Sequence, residues 1–215
     1  RILVMQYTLQ NLKTIWTNVL EEKDFARRFY INFAFCFVTY IAFAQLVAMN
    51  KDRPGVVLND VVQNMLPPHN FSPFIFLLTY SGIVLFLRHF IYYPKVLYYA
   101  FQGFTAIFIV RTILIFLIPL AAPLGQIVLV DPFLDCFVPG SSSELTNDLF
   151  FSGHISDLSF FIFCSPEKWL KYWLTGTACI VGLLLIWQRV HYSADVFAAP
   201  FFAYWGYVVF VKNRG

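Results

Sequence analysis

Charged side chains are what this sequence has least of. They make up 13% of 215 residues, against about 25% in an ordinary soluble domain, which excludes a water-facing surface of the usual kind. In their place stand 59% hydrophobic and 20% aromatic residues, the composition of an integral membrane protein. Basic clusters are missing too. The net charge is +3 and the Lys and Arg residues are spread in ones and twos, so nucleic-acid binding has no electrostatic footprint and is excluded. The four cysteines show neither CxxC nor metal-ligand spacing: Cys36, Cys164 and Cys179 lie in apolar runs and Cys136 in a loop. Free thiols, no disulfide and no zinc are expected. No carboxylate cluster suited to Mg²⁺ accompanies the histidines discussed below, so no metal and no cofactor is expected. Internal repeats are absent.

What is present is a series of apolar runs. At about 20 residues per crossing the chain can hold six spans. Residues 1–28 carry Met5, Leu9, Leu12, Trp16 and Val19 at three- and four-residue spacing, with Lys13, Lys23, Arg27 and Arg28 towards the polar side. This predicts an interfacial amphipathic helix ahead of a membrane domain over 29–215. The expected spans are 29–49, 74–93, 96–120, 148–164, 169–189 and 192–211. KDRPG from Lys51, Pro94, Pro119 and Pro123 end the first three, and DPFLD, VPG and SSS mark a loop over 121–147. The fold class expected is all-α, a six-helix transmembrane bundle.

Positive charge orients that bundle. Lys23, Arg27, Arg28, Arg88, Lys95, Lys168, Lys171, Lys212 and Arg214 fall in four regions that would be cytoplasmic, both termini included. The 121–147 loop and its edge hold Asp131, Asp135, Glu144 and Asp148 with no Lys or Arg, as a translocated loop should. Lys51 and Arg53 in the first connection count against this arrangement.

Two polar motifs interrupt the C-terminal spans. FFSGH ends at His154, and HYSAD runs from His191 to Asp195. A charged group at bilayer depth costs roughly 2.5 to 3.5 kcal/mol on insertion scales, so such residues need a reason. The topology brings both histidines, from different helices, to one depth near the non-cytoplasmic face. His191 and Asp195 are four apart, about 5 to 6 Å between Cβ atoms on a helix. The carboxylate can then hold one ring nitrogen and leave the other free, as a nucleophile or general base requires, with His154 as the partner acid.

NDLFFSGH with HYSAD is similar to the paired motifs of the type 2 phosphatidic acid phosphatase (PAP2) superfamily, and more closely to its sphingomyelin synthase-like branch. That branch has NDxxFSGH-type and HYTxD-type segments, which Asn147 to His154 and Asp195 with His191 match. Arg111 and Thr112 followed by IPLAAP resemble a further family element, an arginine before a proline-rich exit. The resemblance covers the last three spans well and the third loosely. Phosphatases of the superfamily carry Lys, six residues, then Arg-Pro. Here Arg53-Pro54 is present but Leu46 stands where Lys should. Their last motif places Ser-Arg six residues before the histidine, where this chain has Leu185. Both missing cations grip a dianionic phosphate in those enzymes, and a phosphodiester carries one charge fewer.

The resemblance therefore implies a lipid phosphotransferase. It moves a headgroup from a glycerophospholipid donor to a ceramide or diacylglycerol hydroxyl through a phosphohistidine on His191. The alternative is a lipid phosphate phosphatase or phospholipase C-like hydrolase using the same three residues. Arg111, Ser152, Gly153, Asp148, Tyr192 and Arg189 are the expected substrate-binding residues. Arg111 would stabilise phosphoryl charge, or pair with Asp157. Ser152 and Gly153 would let backbone amides approach phosphate or start a helix, and Asp148 would cap that helix. Tyr192, Trp187 or Phe150 could meet a choline by cation–π contact. Arg189, Lys51 and Arg53 either replace the missing clamps or anchor at the interface. Self-association is left open.

Overall fold

A computed structural model describes residues 9–49, 53–130 and 149–214. Among these the chain is helical, with one isolated parallel bridge between Val56 and Leu120. Helices α1 (Leu9–Glu21), α2 (Lys23–Met49), α3 (Val61–Asn64), α4 (Ser72–Phe90), α5 (Pro94–Leu117), α6 (Gly153–Cys164), α7 (Lys168–Trp187) and α8 (Ser193–Phe210) follow in order. Three of them, α4, α5 and α7, are long and apolar enough to cross a membrane. Their outer faces stay apolar where no protein covers them: Leu77 on α4, Leu117 on α5 and Leu183 on α7 are each about two-thirds exposed. Faces of that kind mark contact with lipid rather than water.

The boundaries shift from the sequence expectation in instructive ways. The expected division at residue 28 falls inside α2, which starts at Lys23 because nothing from Asp24 to Arg28 breaks a helix. Pro94 begins α5 at its first turn, where its missing N–H costs nothing. The largest shift is at the fourth span. It was expected from Asp148, which lies outside the described residues, and the helix starts only at Gly153. At twelve residues α6 is about 18 Å long. The backbone from Leu149 to Ser152 stays unwound, and its carbonyls are used by side chains of the site.

Packing decides what the bundle leaves open. Helix α6 is gripped by α7 and α8, α2 lies along α5, and α4 lies along α7. Phe86, Phe161, Leu158, Leu174, Leu185 and Ala203 fill the core between them. α1 is tied down by its Trp16, whose indole N–H donates to the Ile91 carbonyl at 2.8 Å and whose ring meets Phe29 edge-on. The connection after α2 reaches across to the exit of α5: Val56 N donates to Pro119 O at 2.9 Å and Ala121 N to Val56 O at 3.0 Å. Gly55 permits this approach, since a Cβ there would lie 2.5 Å from Ala121 N.

Candidate active site

The second histidine is aimed by a tight turn. After α7 the chain reverses at Arg189, whose φ of 61° is left-handed and uncommon for a residue with a side chain. Neighbours hold the turn in place. The Arg189 guanidinium donates to the carbonyls of Leu124, Gln63 and Leu66. Gln188, fully buried, accepts from Phe71 N at 2.7 Å and donates to Ser72 Oγ at 2.9 Å. The result is a His191 only 3% exposed.

Its ring is oriented on one side. Nδ1 lies 3.1 Å from the Leu149 carbonyl. A carbonyl can only accept, so Nδ1 carries a hydrogen, and in the neutral ring the lone pair is then on Nε2. The Asp195 carboxylate stands 3.7 Å from the same nitrogen. It acts as a charge behind the ring, while its Oδ2 accepts from Tyr192 N at 3.0 Å and so caps α8. Asp195 was expected to hold one ring nitrogen and leave the other free; its carboxylate stands at Nδ1, beside the unwound Leu149 carbonyl.

The first histidine faces an open space. His154 is the second residue of α6, half-buried, with its ring 6.2 Å from Phe76. Beside it Arg111 reaches up from α5, 5% exposed. Its Nε donates to the Phe151 carbonyl at 2.7 Å, and its guanidinium lies 4.9 Å over the Phe43 ring. A Cβ on Gly153 would stand 3.0 Å from the guanidinium carbon. Glycine at 153 is therefore what lets a cation lie against the start of α6. The two motif loops are also tied directly, Ser152 N donating to Asp195 O at 3.1 Å.

These groups meet at one end of a cavity of about 380 Å³. His154, His191, Arg111, Gly153 and Asp157 line that end. Apart from Thr79 and Gln126 the remaining wall is mostly apolar and aromatic, from Phe37 and Tyr40 on α2, Ile83 on α4 and Phe104 on α5 down to Leu97. Arg111 and Leu97 are fourteen residues apart on one helix, about 21 Å. The site is a polar, ionisable end on a long, mostly apolar slot.

Other expected residues do different work. Arg189 does not line the cavity, because three loop carbonyls take its guanidinium. Tyr192 is buried, with its hydroxyl donating to Ala121 O and accepting from Leu58 N, and its ring does not line the cavity. Trp187 donates to Pro67 O and packs on Phe71. Arg53 donates to Phe116 O. Ser152 begins α6 without a side-chain cap, and its hydroxyl is buried with no partner among the described residues. Leu185 lies in the core and does not line the cavity. Asp148, Lys51 and Cys136 lie outside the described residues; Cys36, Cys164 and Cys179 are free thiols.

Two positioning residues escaped the sequence reading. Asp60 accepts from Ser193 N at 2.6 Å and Ser193 Oγ at 3.1 Å, and also from Val62 N and Gln63 N, so one carboxylate caps both α3 and α8. Partial burial raises its pKa, but these hydrogen bonds outweigh that and hold it below the ordinary 3.8. Gln63, buried, donates to the His191 carbonyl at 2.7 Å. An Asx-type helix start at Asp60 was readable in the sequence; its reach to residue 193 was not.

Comparison with known proteins agrees with the C-terminal motifs. Residues 146–212 match the family model described as PAP2 superfamily C-terminal. The match spans α6 to α8 and holds both histidines and Asp195, while Arg111, Asp60 and Gln63 lie before it. No curated protein matches the chain.

Proposed function

We propose that this chain is a membrane lipid phosphotransferase, moving a phospho-headgroup from a glycerophospholipid to a ceramide-like or diacylglycerol hydroxyl. The observation that carries this reading is the convergence of His191, His154 and Arg111 at one end of an aromatic slot. A lipid tail fits the slot and a phosphodiester fits the end. The PAP2-type segment over α6 to α8 supports phosphoryl chemistry in general.

The chemistry runs in two balanced steps. The Nε2 lone pair of His191 attacks phosphorus as the bond to the diacylglycerol oxygen breaks. His154, as imidazolium, gives its proton to that oxygen, leaving diacylglycerol, a phosphohistidine and neutral His154. The acceptor hydroxyl then loses its proton to His154 and attacks phosphorus, and the P–N electron pair returns to Nε2. Arg111 stabilises charge on the phosphoryl oxygens, and Asp195 steadies the positive charge His191 develops. Among the described residues Arg111 is the one Lys or Arg lining that end, and one such cation suits a monoanionic diester.

The same proposal takes α2, α4, α5, α6, α7 and α8 as six crossing elements, with cytoplasmic termini and the histidines towards the opposite face. The charge distribution supports that orientation.

The test is product analysis. Purified protein receives labelled phosphatidylcholine, phosphatidylethanolamine or phosphatidic acid, with and without ceramide or labelled diacylglycerol. Headgroup product that depends on the acceptor is the expected result. Free phosphate from phosphatidic acid alone would establish the phosphatase instead, and free phosphocholine or phosphoethanolamine the phospholipase C-like hydrolase.

A further inference from the structure

One turn beneath the histidines the cavity wall becomes polar again. Asp157 follows His154 by three residues on α6, and Thr79 follows Phe76 by three on α4. Phe76 and His154 face one another. Both helices begin at the reactive end, so Asp157 and Thr79 lie about 4.5 Å deeper, side by side in depth. Both line the cavity. The Thr79 residue is 4% exposed, and its hydroxyl has no partner among the described residues. The Asp157 carboxyl receives a long 3.5 Å contact from Ser156 Oγ and feels the charge of Arg111. Neither residue has a part in the phosphoryl steps. The Thr79 hydroxyl is left to a ligand, and the Asp157 carboxyl, with one long contact, keeps room to accept from one.

Resting on the phosphotransferase reading above, we propose that Asp157 and Thr79 select the acceptor: they recognise a lipid alcohol whose acyl chain is joined by an amide rather than an ester. With the reacting oxygen at His154, the next few atoms of an acceptor fall at the depth of this pair. A carboxyl presents an acceptor oxygen in either protonation state, and a threonine hydroxyl can donate. An amide satisfies both, its N–H donating to Asp157 and its carbonyl accepting from Thr79. An ester also has a carbonyl for Thr79 but no hydrogen for Asp157. Sites built to bond a donor discriminate against analogues lacking it, because the buried group is left unpaired.

The test sets ceramide against isotopically labelled diacylglycerol at equal mole fraction, with phosphatidylcholine as donor, and reads the partition of headgroup product. Wild type should favour ceramide by about tenfold or more. Asp157→Leu should bring the ratio to within about twofold by slowing transfer to ceramide more than transfer to diacylglycerol, and Thr79→Val should slow both acceptors alike. An unchanged ratio in Asp157→Leu overturns the proposal. So does an equal loss with both acceptors, the signature of an Asp157 that only holds Arg111. In parallel, tryptophan fluorescence measures binding of each acceptor to wild type and Asp157→Leu without turnover. If wild type transfers to neither acceptor the phosphotransferase reading falls, and the binding ratio still decides the role of Asp157: lost preference supports it, equal binding in wild type refutes it.

Discussion

The two histidines sit at the starts of two helices, yet one is fastened and the other is not built the same way. His191 is buried, its Nδ1 set against the Leu149 carbonyl, Asp195 behind it, and its own carbonyl held by Gln63. His154 is half-buried and turned to the cavity, with Phe76 across from it. A covalent carrier must present one lone pair along one line, so orientation is where its surroundings are spent. A proton shuttle serves a leaving oxygen and then an incoming one, and needs exposure to both. In the proposed reading the difference suits His191 to the carrier and His154 to the shuttle.

The sharpest way to break that comparison is to remove each ring in turn. His191→Ala should lose turnover by at least about 10³-fold and take up no label from a headgroup-labelled donor, with its elution in detergent unchanged. His154→Ala should be slowed by about 10² to 10⁴-fold with natural lipids. Its deficit should shrink with a nitrophenyl phosphodiester, whose leaving group needs no proton. Equal deficits with both donors would exchange or erase the roles.

Smaller effects test the supports. Gly153→Ala puts a Cβ against the Arg111 guanidinium and should lower kcat by about 10²-fold, as loss of a charge-stabilising donor does, with little change in melting temperature. Gln63→Leu orphans the buried His191 carbonyl and should cost about 1 to 3 kcal/mol in thermal unfolding. It should also shift the pH–rate profile, which a purely structural role would leave alone. Asp60→Asn should cost about 1 kcal/mol at neutral pH. The Asp60 carboxyl has a lowered pKa in the folded chain, so its contribution is complete above pH 3.8 and is lost as the pH falls through that lowered value. Melting curves of wild type and Asp60→Asn should therefore converge only below about pH 3.8; convergence at pH 5 would contradict the assigned hydrogen bonds.

The sequence made the helices legible wherever apolar runs met proline, as at Pro94, because local chemistry decides such ends. It also made His154, His191, Asp195 and Arg111 visible as candidates, since ionisable groups in apolar runs stand out. It misled at Leu149 to Ser152, where apolar residues read as helix. There the backbone is held open by tertiary demand, Arg111 and His191 taking its carbonyls. Arg189 and Tyr192 misled for a related reason: motif neighbours look like ligand contacts, and only the fold shows loops claiming them. Asp60 and Gln63 were unreadable because their partners lie about 130 residues away.

The slot between α2 and α4 carries a consequence for rate laws. In the proposed reading, walls of phenylalanine and tyrosine draw their occupant from the bilayer plane rather than from water. In the proposed reading the quantity that saturates the site is then mole fraction among neighbouring lipids, not molarity. Adding inert lipid at fixed substrate should slow the reaction; adding buffer should not.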